Sequence, residues 1–166
     1  MRLASVIPTK IYQLPQLLAK TASWRITGAT ISFTNGVFDI LHEGHIFSLS
    51  QAAAEADFLI VAVNSDASVK RLKGPERPVN NEKSRALLLA SLVMVDAVIL
   101  FEEDTPLNVI SQLLPDVIVK GGDYTPVQIA GSKEVINNGG RVVINPLIEG
   151  VSTTSIIEKL RAGQTS

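Results

Sequence analysis

Cysteine is absent from this chain of 166 residues, and histidine occurs only twice. Without cysteine the chain can form neither disulfides nor thiolate metal sites, and the absence fits a reducing compartment. No apolar run reaches the length of a membrane-spanning helix, and the apolar stretch near the start is short and interrupted by Pro8. We therefore expect a cytoplasmic protein with no membrane segment and no leader peptide.

Charge is nearly balanced overall but uneven along the chain, with a formal net charge of −1 at pH 7. The balance gives no reason to expect a nucleic-acid partner. Residues 70–85 carry six basic side chains against two acidic ones, whereas the rest of the chain carries nine basic and fourteen acidic ones. A short basic segment on an acidic body suits a small anion better than a long polyanion. A solvated loop and helix face would explain the same charges equally well.

The order of the apolar segments predicts one α/β domain over residues 1–166, with the first ten residues and the last few loosely held. Apolar runs predict five strands, at 30–33, 58–63, 97–101, 117–119 and 141–144. Helical patterns alternate with them, at 12–22, 45–56, 82–93, 105–113, 127–137 and 155–160, and residues 70–80 read as a loop. Such alternation builds parallel sheets through right-handed crossovers. We expect a Rossmann-like, doubly wound sheet of five parallel strands.

Ligands of such sheets bind beyond the carboxyl ends of the strands. That rule selects residues 34–45, 64–77, 120–124 and 149–154, where the polar, glycine-bearing and basic residues of the chain are concentrated. Both histidines, His42 and His45, fall in the first of these segments, at a predicted turn from strand to helix. They could bind phosphate beside the free N–H groups of the helix start, ligate a metal with carboxylates, or serve structure alone.

The residues around the histidines resemble a known signature. The run Phe33-Thr34-Asn35-Gly36-Val37-Phe38-Asp39-Ile40-Leu41-His42-Glu43-Gly44-His45 is similar to that of the cytidylyltransferase-like nucleotidyltransferases. In this interpretation Gly36 and Gly44 let the backbone approach the triphosphate, and the histidines donate hydrogen bonds to the reacting phosphate. The segment Gly150-Val151-Ser152-Thr153-Thr154 resembles a second element of these enzymes, which binds phosphate at a helix start. Plain capping, with Ser155 and Glu158 as a capping box, is the structural alternative.

Three further runs, over residues 69–80, 116–124 and 146–150, resemble the adenylyltransferases of ADP-heptose synthesis. The resemblance extends from about residue 12 to residue 160 and implies a stand-alone form of that domain. It implies transfer of AMP from ATP to D-glycero-β-D-manno-heptose 1-phosphate, which yields ADP-heptose and pyrophosphate for the lipopolysaccharide inner core. Mg²⁺ would accompany the ATP. We also expect a homo-oligomer, most simply a dimer.

The resemblance also implies roles for individual residues. The catalytic set is His42, His45 and Lys73. The residues expected to line the nucleotide are Thr34, Asn35, Gly36, Phe38, Asp39, Lys120, Gly122, Asp123, Tyr124, Ser152, Thr153 and Thr154, with Lys120 to Tyr124 on the nucleoside side. The residues expected to bind the sugar phosphate are Asn64, Arg77 and Arg85. Asp39 is the one side chain expected to reach a metal ion.

Two departures from related patterns bear on the function. Val37 stands where many heptose enzymes carry cysteine, which we interpret as packing. Leu147 stands where glycerol-phosphate cytidylyltransferases carry an arginine, which weighs against CTP. A transferase that uses CTP with glycerol 3-phosphate or phosphoethanolamine remains the alternative enzyme. A regulatory domain that binds a nucleotide without turnover is the alternative from another class.

Overall fold

The computed structural model describes residues 4–122, 124–146 and 152–163. Six strands form one parallel sheet: β1 (Ile11–Tyr12), β2 (Ile31–Gly36), β3 (Phe58–Asn64), β4 (Ala97–Phe101), β5 (Val117–Gly121) and β6 (Arg141–Asn145). Seven helices are described: α1 (Leu14–Ile26), α2 (Glu43–Ala53), α3 (Asp66–Lys73), α4 (Glu82–Ala90), α5 (Leu107–Leu113), α6 (Ser132–Asn137) and α7 (Thr153–Ala162). The spatial order of the strands is β1-β4-β3-β2-β5-β6.

Helices cover both faces of the sheet, so the doubly wound α/β fold predicted from the sequence is confirmed. One core packs Leu17 and Trp24 of α1, Ile110 of α5 and Val135 of α6 against the sheet. The opposite core packs side chains of α2 and α4, including Leu49 and Leu89. Strands β3 and β4 read as continuous apolar runs because both of their faces are buried in this way.

The five predicted strands correspond to β2–β6, and β1 is an additional edge strand. It has only two residues, which pair with Val98 and Ile99 of β4. Tyr12 therefore lies in a strand and not at the start of the first helix, which begins at Leu14 after Gln13 as N-cap. A strand this short leaves no periodic pattern, so the sequence could not reveal it. Residues 4–10 form two 3₁₀ turns, and Lys10 Nζ donates a hydrogen bond to the Val95 carbonyl at 2.7 Å.

Three local predictions differ from the structure. Residues 70–73, predicted to begin a loop, form the end of α3, which starts after Ser65 as N-cap; Ser65 Oγ accepts a hydrogen bond from Ser68 N at 3.2 Å. The helix predicted at 127–137 is divided into a 3₁₀ turn and α6, since Gly131 between them has φ 81. The N-cap of the last helix is Ser152 and not Ser155; Ser152 Oγ accepts from Ser155 N at 3.1 Å.

No helix in the described part of the chain is long and apolar enough to span a membrane.

Candidate active site

The centre of the sheet defines where a ligand can bind. From β2 the chain proceeds to β3 and β4 on one side, and then crosses back to place β5 on the other side of β2. Such a reversal leaves a crevice at the carboxyl ends of the two strands, here β2 and β5. Asn35 lies near the end of β2 and Lys120 near the end of β5, and Lys120 Nζ donates a hydrogen bond to Asn35 Oδ1 at 3.0 Å.

A tight turn leads from β2 to the first histidine. Phe38 adopts φ 49, a left-handed conformation that costs a non-glycine residue roughly 1–2 kcal/mol. Burial of the ring offsets this strain, since Phe38 is 8% exposed. A Cβ atom on Gly36 would lie 3.0 Å from Cε2 of this ring. Glycine at position 36 therefore gives room to the Phe38 ring. The ring of Phe38 packs in the core, and the expectation that this residue lines the nucleotide stays a prediction.

The carboxylate of Asp39 holds the turn in place. It is 1% exposed and accepts hydrogen bonds from Arg77 Nε at 2.7 Å, Val79 N at 2.9 Å and Asn80 N at 2.8 Å. Burial alone would raise the pKa of Asp39, but the hydrogen bonds from Asn80, Val79 and Arg77 outweigh it, and the pKa is lowered. This anion is committed to the protein's own donors, and its expected contact with the nucleotide or a metal ion stays a prediction.

A buried arginine completes the same network. Arg85 is fully buried, and its guanidinium donates to the Asn80 carbonyl at 2.9 Å, the Val37 carbonyl at 2.6 Å and Asp66 Oδ1 at 2.8 Å. Arg85 therefore has a structural role, and its expected contact with the sugar phosphate stays a prediction. Asn80, which the sequence did not single out, bonds both Asp39 and Arg85.

The two histidines stack at the start of α2. Their ring centroids are 3.9 Å apart, and the Phe38 ring lies 5.4 Å from that of His45. The Nδ1 atoms of both rings are buried without a hydrogen-bond partner in the described structure. Such orphaned atoms are rare and concentrate at functional sites. Burial lowers the pKa of His42, although the nearby charge of Glu43 acts to raise it. Burial also lowers the pKa of His45, to about 4, and the charge of His42 acts in the same direction. Both rings are therefore neutral at pH 7.

A cleft of about 450 Å³ lies between α3 and α7, lined by three basic and two acidic side chains, and we call it the α3–α7 cleft. Its lining includes Lys73, Arg77, Glu76, Thr154 and Arg161. Lys73 is exposed at the end of α3, and Arg77 is the residue that also bonds Asp39. The cleft therefore brings together the predicted Lys73, Arg77 and Thr154. Since Arg77 bonds Asp39, this cleft is joined directly to the histidine turn.

A smaller cleft of about 170 Å³ lies at the switch point, and we call it the β2–β5 cleft. Its lining includes Asn35, Asp104, Thr105, Lys120, Tyr124 and Gln128. The Lys120 ammonium lies 5.8 Å from the centre of the Tyr124 ring, and burial lowers the pKa of this lysine. The structure thus divides the residues predicted to bind nucleotide between two clefts that flank the histidine turn.

The remaining predicted residues have less direct support. Asn64 is 4% exposed and donates to Ser68 Oγ at 3.0 Å, and its expected contact with substrate stays a prediction. Thr34 lies in β2, and Gly122, with φ 108, follows β5. Ser152 and Thr153 stand at the start of α7. Asp123, Leu147 and the residues of 149–151 lie outside the described residues.

A magnesium ion was expected together with the nucleotide. In the described ranges, no group of three or more histidine or acidic side chains is arranged to hold a metal. The Asp39 carboxylate already accepts three hydrogen bonds. The described residues therefore do not fit a metal centre built from protein side chains, and we derive no step through one.

Comparison with known proteins decides the family. The cytidylyltransferase-like family profile matches residues 33–159, which include the histidine turn, the β2–β5 cleft, the α3–α7 cleft except Arg161, and most of α7. The chain belongs to this family. It is therefore a nucleotidyltransferase, as the signature around the histidines predicted.

Relatives of this cytidylyltransferase-like chain include two proteins named Bifunctional protein HldE. The one from Mesorhizobium japonicum is 55% identical over 87% of this chain and 29% of its own length. The one from Rhodospirillum rubrum is 56% identical over 84% of this chain and 28% of its own length. The chain thus spans less than a third of the length of these relatives.

Two solved structures share the fold. The lipopolysaccharide core biosynthesis protein from Thermoplasma volcanium has 30% sequence identity and a TM-score of 0.59, and the match covers 72% of this chain and 97% of that one. The pantoate-beta-alanine ligase from Francisella tularensis has 17% identity and a TM-score of 0.57, covering 91% of this chain and 76% of that one. The second likeness supports the fold alone.

The buried histidines predict a loss of stability in mild acid. The pKa of His45 is about 4 in the folded chain against an ordinary value of 6.5. As pH falls through that window, the unfolded chain takes up a proton that the folded chain does not bind, so the free energy of unfolding decreases. Above it, this ring contributes no pH dependence. Denaturant unfolding at pH 7 and pH 5 should show the loss, and His45→Gln should reduce it. A ring that titrates near 6.5 in an NMR titration of the folded chain would contradict the assignment.

Proposed function

We propose that the chain transfers AMP from ATP to D-glycero-β-D-manno-heptose 1-phosphate, releasing pyrophosphate and forming ADP-heptose for the lipopolysaccharide core. The observation that carries the proposal is the stacked, neutral histidine pair at the start of α2, on a turn tied to both clefts. The identity with the HldE proteins and the runs over residues 69–80 and 116–124 support heptose phosphate as the acceptor. The reaction would take place in the cytoplasm, where ATP is available.

Neutral histidines suit this reaction because it needs no general base. A phosphate ester has a second pKa of about 6, so the acceptor oxygen is already deprotonated at pH 7. It attacks the α-phosphorus of ATP as the bond to the pyrophosphate oxygen breaks in line, and no covalent enzyme intermediate forms. A neutral imidazole N–H can donate a hydrogen bond to the charge that builds on the α-phosphate oxygens. The helix start that carries the rings adds free N–H groups.

The α3–α7 cleft suits the leaving pyrophosphate. Lys73 supplies positive charge there, Arg77 and Arg161 lie beside it paired with Asp39 and Glu76, and Thr154 stands in the first turn of α7. Cations near the β- and γ-phosphates stabilise the leaving group as its bond to the α-phosphate breaks. Mg²⁺ would enter on the triphosphate, held by the phosphate oxygens of the nucleotide.

Substrate choice tests the proposal most broadly. Each of the four nucleoside triphosphates is combined with heptose 1-phosphate or with glycerol 3-phosphate, and pyrophosphate release is measured. We expect the highest kcat/KM for ATP with heptose 1-phosphate, because a site that hydrogen-bonds one base rejects the others strongly. Equal or faster release with CTP would overturn the adenylyl assignment. If no combination of nucleotide and acceptor releases pyrophosphate, although the chain still binds nucleotide, the result would favour a regulatory domain without turnover.

Histidine substitutions test the catalytic step. Loss of one fixed donor typically lowers kcat by about 10²–10³-fold, so His45→Ala should lower kcat by that order with little change in the KM for ATP. His45→Asn keeps an N–H donor and should retain more activity. Lys73→Ala is the comparison. Lys73 is exposed at the rim of the α3–α7 cleft, so its loss should raise the KM for ATP more than the loss of His45 does. Steady-state kinetics on variants with an unchanged circular dichroism spectrum would decide. A raised KM with unchanged kcat in His45→Ala would make the histidine a binding group.

A further inference from the structure

Lys120 is a partly buried cation without an anionic partner in the described ranges of the chain. Its ammonium donates to the Asn35 carbonyl at 3.3 Å and to Asn35 Oδ1 at 3.0 Å, and both acceptors are neutral. The ring of Tyr124 lies 5.8 Å away. The salt bridges between described residues involve only arginines. A charge removed from water is normally paired with an opposite charge, so this ammonium is suited to an anionic ligand.

The carboxylate that shares the cleft does not neutralise Lys120. Asp104 also lines the β2–β5 cleft, but it pairs with Arg71 at 2.8 Å. The other polar lining groups are neutral: the amides of Asn35 and Gln128 and the hydroxyls of Thr105 and Tyr124. One cation beside neutral hydrogen-bonding groups, in a cleft whose carboxylate is paired with Arg71, matches a ligand with one phosphate and several hydroxyls.

The two clefts differ in the ligand that each can hold. The α3–α7 cleft has about 450 Å³ and three cations, of which Arg77 pairs with Asp39 and Arg161 with Glu76. The β2–β5 cleft has about 170 Å³ and one cation, Lys120, which is not paired within the described chain. Pockets for drug-sized ligands begin at roughly 300 Å³, so the smaller cleft is of a size for a single sugar ring. Asn35 leads along β2 directly into the histidine turn. A phosphate on Lys120 would therefore lie beside the turn where the α-phosphate must react.

We propose that the β2–β5 cleft is the acceptor site, in which Lys120 binds the phosphate of the sugar phosphate and Asn35, Thr105 and Gln128 receive its hydroxyls. This rests on the proposed function and deepens it. It also revises the expectation that Lys120 and Tyr124 face the nucleoside. Asn35 then fixes the position of the ammonium, and the Tyr124 ring covers one side of it.

The test measures the affinity of each substrate separately by calorimetry. The probes are heptose 1-phosphate, the same heptose without phosphate, inorganic phosphate and a non-hydrolysable ATP analogue. Hydrogen bonds to a charged group are worth enough that Lys120→Met should weaken heptose 1-phosphate binding about 10- to 100-fold, with the affinity for the ATP analogue unchanged. The variant should also bind the sugar with and without phosphate almost equally. Lys120→Arg keeps the charge and should retain more affinity, and Lys133→Met, at an exposed lysine of α6, is the matched control.

Any other pattern of affinities for the two substrates overturns the inference. Loss of affinity for the ATP analogue alone would return Lys120 to the nucleoside side, and equal losses for both ligands would indicate a general disturbance of the site. If Lys120→Met does not fold, Thr105→Val in the same cleft should weaken heptose 1-phosphate selectively, and an unchanged affinity would contradict the proposal. The proposed function fails separately, if the wild-type chain releases no pyrophosphate with any sugar phosphate. An active wild type in which Lys120→Met affects only ATP would refute the acceptor site alone.

Discussion

The buried carboxylate of Asp39 is the constraint on which the site depends. It joins the turn after β2 to residues 77–80, which lie 38 to 41 positions further along the chain. Arg85 closes the same network from α4 by bonding the carbonyls of Val37 and Asn80. One buried anion and one buried cation thus fix the backbone that presents the histidines. Asp39 pairs with Arg77 and Arg85 with Asp66, so removing one member of either pair would leave a charge without its compensation, which is costly.

In this arrangement, the residues that hold the turn rigid differ from the residues proposed to act on the substrate. The charged groups that hold the turn are committed to the protein, whereas the histidines are neutral and their Nδ1 atoms have no partner within the described structure. Donors that are fixed before the substrate arrives need not reorganise when charge builds on the phosphate. The cations that remain in the clefts, Lys73 and Lys120, lie on opposite sides of β2. Direct transfer between two bound phosphates is the chemistry that such a site supports.

Much of this could be predicted from the sequence because the signals are local. Strands β2–β6 are apolar runs, and the histidine turn is a contiguous motif that determines its own position at the end of β2. What the sequence could not show depends on pairing between distant residues. From the sequence, Arg85 was interpreted as part of a basic surface, because none of the residues next to it in the chain indicates that it bonds Val37 and Asp66. For the same reason, Asn80 was interpreted only as a loop residue.

Gly36 illustrates the same limit. The signature suggested that glycine lets the backbone approach the triphosphate, whereas the structure shows the Phe38 ring in the space that a Cβ atom would occupy. The residue type was informative, but the partner that requires it was visible only in three dimensions. Helix α3 escaped prediction because most of its side chains are polar and Val69 is its only buried large apolar residue.

Exchange of labelled pyrophosphate into ATP tests the central claim of direct transfer most directly. If the acceptor phosphate attacks the nucleotide itself, the chain with ATP and Mg²⁺ alone should catalyse no exchange, and exchange should begin when heptose 1-phosphate is added. Exchange in the absence of any acceptor would show that the enzyme carries the AMP group covalently, and that result would contradict the account.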